Sequence, residues 1–101
     1  MNLNETAINA YKTALKRQQN GGNVKVVEVL KHCAGEVIEA QEAFTLWKYD
    51  AHDPVKYAEE LADVIICALI AAGCDEIDIE KAVNEKMQKN AQRAAMQGVK
   101  L

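Results

Sequence analysis

Four carboxylates stand out by their spacing. Glu36 and Glu39 are three residues apart, and so are Glu60 and Asp63, which puts each pair on one face of a helix. The second pair opens a stretch, "EELADVIICALIAAG", that otherwise avoids polar residues. From Leu61 to Ala72 eleven of twelve residues are apolar, and the exception is Asp63. Gathering four negative charges out of bulk water is prohibitive unless something neutralises them. A hard divalent cation with oxygen ligands does so, and Mg²⁺ is the expected ion, with Mn²⁺ as an alternative. One such acid pair is common on a solvated helix face. Two pairs, on helices that should be neighbours, favour a metal site built from Glu36, Glu39, Glu60 and Asp63.

The opposite charge follows later in the chain. Lys86, Asn90 and Arg93 recur at i, i+4 and i+7, within about 60° of helical arc. They share that arc with Ile79, Ala82 and Val83, which are expected to pack inward. A stripe of cations and an amide suits an anionic ligand, most simply a polyphosphate. Long basic side chains snorkelling at a bundle edge would give the same spacing.

Four helices must position these groups. The first is expected over roughly Glu5 to Gln19, capped by Asn2 or Asn4 and ended by "NGGN". The second starts after Asn23 as cap and runs to about Lys48. The third opens on Asp53-Pro54, a capping residue with proline at the first helical position, and closes at the C-terminal glycine Gly73. The fourth begins near Asp78 and reaches about Met96, with Gly98 after it. No alternating strand pattern occurs, and the links are short enough for neighbouring helices to pack antiparallel. The fold class is all-α, in one domain over residues 1–101.

On a wheel of about 100° per residue, Glu36 falls among Val29, Ala40, Ala43 and Trp47, residues that belong in a core. Glu39 and His32 lie at the edge of that arc, and Glu42 points to the solvated side. Trp47, at the far end of the same arc, can stack on a bound base or simply close the helix end. The third helix is apolar nearly all round beyond Leu61 and must be enclosed on every side. Three other helices, one of them mostly polar, are a poor enclosure, so a partner subunit is expected.

Composition narrows the classes further. The net charge of −3 argues against a nucleic-acid polymer held on a broad basic surface. Cys33, Cys67 and Cys74 are odd in number and form no CxxC pair, which fits reduced thiols in a cytoplasmic protein. The start, "MNLNETAINAYK", lacks an apolar leader, and the central apolar run is shorter than the roughly 20 residues that span a bilayer. Neither secretion nor a membrane is expected.

With "GEVIEAQEAF", "EELADVIICALIAAG" and "IDIEKAVNEKMQKNAQR" in view, the chain resembles the MazG-like all-α nucleoside triphosphate pyrophosphohydrolases over about residues 24 to 95. That family carries EExxE, a gap, then ExxD. Glu36 and Glu39 match the second and third glutamates, and after 20 intervening residues Glu60 and Asp63 match ExxD. Lys86, Asn90 and Arg93 look like the family's KxxxNxxR ending. Gly35 departs from the pattern, standing where the first glutamate of the doublet is usual, and His32 is a candidate to take over its task. The resemblance implies a four-helix bundle completed by dimerisation, as a homodimer or a dimer of dimers. It also implies Mg²⁺-dependent hydrolysis of (deoxy)nucleoside triphosphates to monophosphate and pyrophosphate, as nucleotide-pool house-cleaning. Phosphoribosyl-ATP pyrophosphatase is a relative with similar acids, and a non-enzymatic assembly or regulatory subunit would keep the helices without the metal. A di-iron bundle is disfavoured, because neither acid pair supplies the ExxH that such a centre uses.

Overall fold

The computed structural model describes residues 2–18, 23–50 and 53–97. They form α1 (Leu3–Lys16), α2 (Val26–Tyr49), α3 (Pro54–Cys74) and α4 (Ile79–Met96), with no strand among the described residues. Gln19 and the Asn20–Gly22 part of the "NGGN" turn lie outside the described residues, as does Gly98.

Local chemistry sets most helix starts. Asn2 caps α1, its side-chain oxygen accepting from the Asn4 and Glu5 backbone N–H groups. Asp53 caps α3 by accepting from the Val55 N–H at 2.8 Å, with Pro54 following. Asp78 caps α4 through the Lys81 N–H, and it also accepts from the Asn4 side-chain amide at 2.9 Å, so one carboxylate ties α4 to α1. That amide, and then the Lys81 N–H, hold the Asp78 carboxyl below its usual range. α2 differs from expectation: it starts two residues later than an Asn23 cap would place it, after Lys25, with no side-chain cap bond.

The end of α3 also differs. The helix runs through Gly73 to Cys74, and the left-handed residue that closes it is Glu76, at φ 55°. Ile77 N–H reaches back to the Ala72 carbonyl at 3.0 Å and Glu76 N–H to that of Gly73 at 3.4 Å. That bond pair is a Schellman motif, built here on a glutamate rather than a glycine. Gly73 serves packing instead. A Cβ there would fall against the Ala7 carbonyl and 2.9 Å from Tyr11 Cβ, so glycine lets α1 lie directly on α3.

α3 is the central helix. α2 packs along one side of it and α1 along another, both antiparallel to it, while α4 docks on α1. The core is thin and built of small residues: Ala7, Leu69 and Ala72 form its densest cluster, flanked by Ala10 and Ile79. No large side chain among the described residues is fully buried. Ile65 is 58% exposed, Ile38 55% and Ile66 44%. The radius of gyration, 16.4 Å, exceeds the value of about 13 Å expected for a compact chain of this length. Part of α3 is therefore left uncovered by the other described helices. No helix among the described residues is long and apolar enough to cross a membrane.

Candidate metal centre

The antiparallel pairing of α2 and α3 brings the two acid pairs together. Ligand atoms of Glu36, Glu60 and Asp63 all lie within 4.8 Å of one another. Glu39 stands against the same group: the Glu36 charge, with Glu60 close behind, pushes its carboxyl above the ordinary range. Three of the four acids cluster, and Glu39 lies beside Glu36 and Glu60 at the edge of the group.

Their burial is unequal: on α2 it follows the sequence reading, with Glu36 inside and Glu39 at the edge, whereas on α3 it departs from it. The enclosed acids are Glu36 and Glu60, at 8% and 5% exposure, whereas Glu39 and Asp63 are exposed. Asp63 stays exposed because it faces the open cleft between α1 and α3. Each buried glutamate is half satisfied. One oxygen of Glu36 accepts from His32 Nε2 at 2.8 Å, and one oxygen of Glu60 accepts from Lys56 Nζ at 2.7 Å. The other oxygen of each is buried with no hydrogen-bond partner. Lys56 holds the Glu60 carboxyl below its usual range, and Glu60 in turn raises the lysine. Both partners come from one turn earlier on the same helix, so neither bridges α2 to α3. Two buried carboxylate oxygens without partners are costly in water-free surroundings and are the donor type that a hard cation takes up.

Other predicted residues are placed as follows. His32 is exposed and occupied with Glu36. Gly35 has nothing within 4 Å of its would-be Cβ, so a glutamate would fit there and the position is simply vacant. Trp47 stacks on Tyr57 at 5.6 Å between centroids, with Phe44 edge-on to both and Lys48 over its ring. That cluster closes the α2–α3 end beyond the acids. Lys86, Asn90 and Arg93 are all exposed on α4, and they contribute to neither cleft beside the acids. Ile79 and Val83 turn half inward as expected, but Ala82 does not.

One cleft beside the acids was not foreseen from the sequence. About 520 Å³ in volume, it runs between α1 and α3 with Asp63, Ile66 and Ile70 on one wall. Asn9, Thr13 and Arg17 line the other wall. Arg17, at the end of α1, thus places a cation on the same cleft as Asp63. Its signal was the polar stripe Thr6, Asn9, Thr13, Arg17 along α1, which reads as ordinary solvated surface until α1 is laid antiparallel on α3. On the far side of the α2–α3 seam lies an apolar groove of about 540 Å³ lined by Val37, Phe44, Tyr57 and Leu61.

Cys67, buried in the seam, has its thiol raised first by burial and then by Cys33, Glu36 and Asp63. All three cysteines are free. The chain matches no protein-family model, no curated protein and no solved structure.

Proposed function

We propose that this chain is a divalent-metal-dependent nucleoside triphosphate pyrophosphohydrolase. The observation that supports this most is the pair of buried, unpartnered oxygens on Glu36 and Glu60, at the point where Glu39 and Asp63 also converge. The donor set fits Mg²⁺. Three of its carboxylates already lie within 4.8 Å of one another, and all four offer the oxygen donors that this ion prefers. Glu36, Glu39, Glu60 and Asp63 would hold the ion, with Mn²⁺ as a substitute. Bound there, it would supply Lewis-acid polarisation of phosphate oxygens and offset the charge of the polyphosphate.

The chain's own residues take the remaining tasks. Glu39, the exposed glutamate of the group, orients the attacking water and accepts its proton. Arg17, in the α1–α3 cleft with Asp63, pairs with the phosphate chain of a substrate lying along that cleft. Lys86, Asn90 and Arg93 keep their proposed phosphate role only where a second copy brings α4 to the acids. The test is a panel of canonical and modified nucleotides, with phosphoribosyl-ATP included, assayed with Mg²⁺ and a labelled γ-phosphate. Monophosphate and labelled pyrophosphate are expected. Labelled orthophosphate as the primary product, or no turnover of any member, would overturn the assignment.

The protein is also proposed to work as a homodimer or a dimer of dimers. Ile38, Leu61, Ile65 and Ile66 are exposed on α2 and α3, next to the acids, and a second copy is the simplest cover for them. Light scattering at micromolar concentration should give at least twice the 11.1 kDa of one chain. A mass of one chain would sink this part of the proposal.

Metal binding predicts a pH signature. Glu39 is held above the usual carboxylate range, so without metal its contribution to stability is greatest at low pH. That contribution falls as pH rises through the raised range. Glu60 runs the other way: its lowered range gives stability that is present at neutral pH and lost in acid. A divalent cation removes the penalty at Glu39 and competes with its proton. The rise in Tm on adding Mg²⁺ should therefore be largest at neutral pH and shrink as pH falls through the Glu39 range. An equal rise at every pH would point to a nonspecific salt effect.

A further inference from the structure

Behind the four acids, on the α2–α3 seam, lies a second group of donors of different chemistry. His32, Glu36 and Cys67 each present a ligand atom, and the three atoms lie within 4.8 Å of one another. The set is one imidazole nitrogen, one carboxylate oxygen and one thiol sulfur. Nitrogen and sulfur donors are the preference of Zn²⁺ and related borderline ions and are poor ligands for Mg²⁺.

We infer that His32, Glu36 and Cys67 form a Zn²⁺-type site that shares Glu36 with the hard-cation centre, so that the two ions exclude each other. Three observations carry it. A tetrahedral ion with bonds of about 2.0–2.3 Å sets its ligand atoms roughly 3.3–3.8 Å apart, within reach of the present spacing after a small opening of the His32–Glu36 contact. Glu36 is 8% exposed and keeps one buried oxygen with no partner, so a free donor is already enclosed at this point. His32 is largely exposed while Cys67 is buried, which leaves an entry path through the imidazole and a protected sulfur behind it. On binding, Cys67 coordinates as thiolate, its proton passes to solvent, and a water completes the fourth position. The inference needs only these three side chains and stands whether or not the chain hydrolyses nucleotides. If it does, Zn²⁺ inhibits by taking Glu36 away from the Mg²⁺ group.

Optical titration of the reduced, metal-free protein with Co²⁺ reads the sulfur ligand directly. One Co²⁺ per chain is expected to give a thiolate-to-cobalt charge-transfer band that excess Zn²⁺ abolishes. Cys67→Ser should remove the band, and His32→Gln, which keeps an amide able to donate to Glu36, should weaken Co²⁺ binding by about tenfold or more. Cys33→Ser and Asp63→Asn should leave the band in place. Absence of the band in the unaltered protein, its survival in Cys67→Ser, its loss in Cys33→Ser, or unchanged affinity in His32→Gln would each overturn the site. Because the readout is a sulfur–metal transition, it can succeed while every nucleotide assay fails.

Discussion

Asp63→Ala is expected to abolish Mg²⁺-dependent turnover and leave the helices folded. The two halves of that result have separate causes. Asp63 is exposed and has no side-chain hydrogen bond or ion pair among the described residues, so its loss opens no cavity and strands none of them. Without metal, removing one negative charge from beside Glu36 and Glu60 relieves repulsion, and Tm should hold or rise slightly. With metal, the centre loses one of four oxygen donors. A Lewis acid at a phosphate is worth several kcal/mol of transition-state stabilisation, so weakening its hold should cost about a thousandfold or more in rate. Glu42→Ala, on the solvated side of α2, is the matched control and should change neither quantity. If Asp63→Ala turns over at the unaltered rate, the carboxylates are not a metal centre and the proposed activity loses its support.

How far the sequence could see is clear from these same residues. The convergence of the acids was legible, because an i, i+3 spacing fixes the face of a helix and short links fix which helices are neighbours. Glu36 inside and Glu39 at the edge were legible on the helix wheel, but the burial of the α3 acids was not. Asp63 stood in the most apolar surroundings along the chain, yet the protomer encloses Glu60 instead. Neighbours in sequence do not say which flank of a helix another helix will cover. The His32–Glu36 contact was half visible, since His32 falls on the Glu36 face, and the Lys56–Glu60 pair had the same i, i+4 signal. Arg17 was hidden altogether. Its place beside Asp63 depends on how α1 crosses α3, and that crossing is decided by one missing side chain.

Gly73→Ala should destabilise the protein, while the same substitution at Gly35 should stabilise it. Both glycines sit inside helices, α3 and α2, and helix propensity alone favours alanine at each by about 1 kcal/mol. What differs is the space. Nothing lies within 4 Å of a Cβ at Gly35, so the propensity gain is kept there and Tm should rise by a few degrees. At Gly73 a Cβ meets the carbonyl of Ala7, whose own residue is 1% exposed at the centre of the core, and it also lies 2.9 Å from Tyr11 Cβ. Backbone atoms cannot swing aside as a long side chain would, so α1 must move off α3. Overpacking of this kind costs about 1–3 kcal/mol and can outweigh the propensity term. Each kcal/mol of net loss should lower Tm by about 4–8 °C in a domain this small. Gly73→Val enlarges the clash and adds a β-branch, so its loss should be greater still. The displacement reaches the site, because α1 carries Arg17 and the cleft wall opposite Asp63. KM should therefore rise in Gly73→Ala even at temperatures where the protein stays folded, and Gly35→Ala should leave KM unchanged. Thermal melts of the two variants side by side decide the matter: a Tm for Gly73→Ala at or above that of the unaltered chain would show that α1 does not lie on α3 as described.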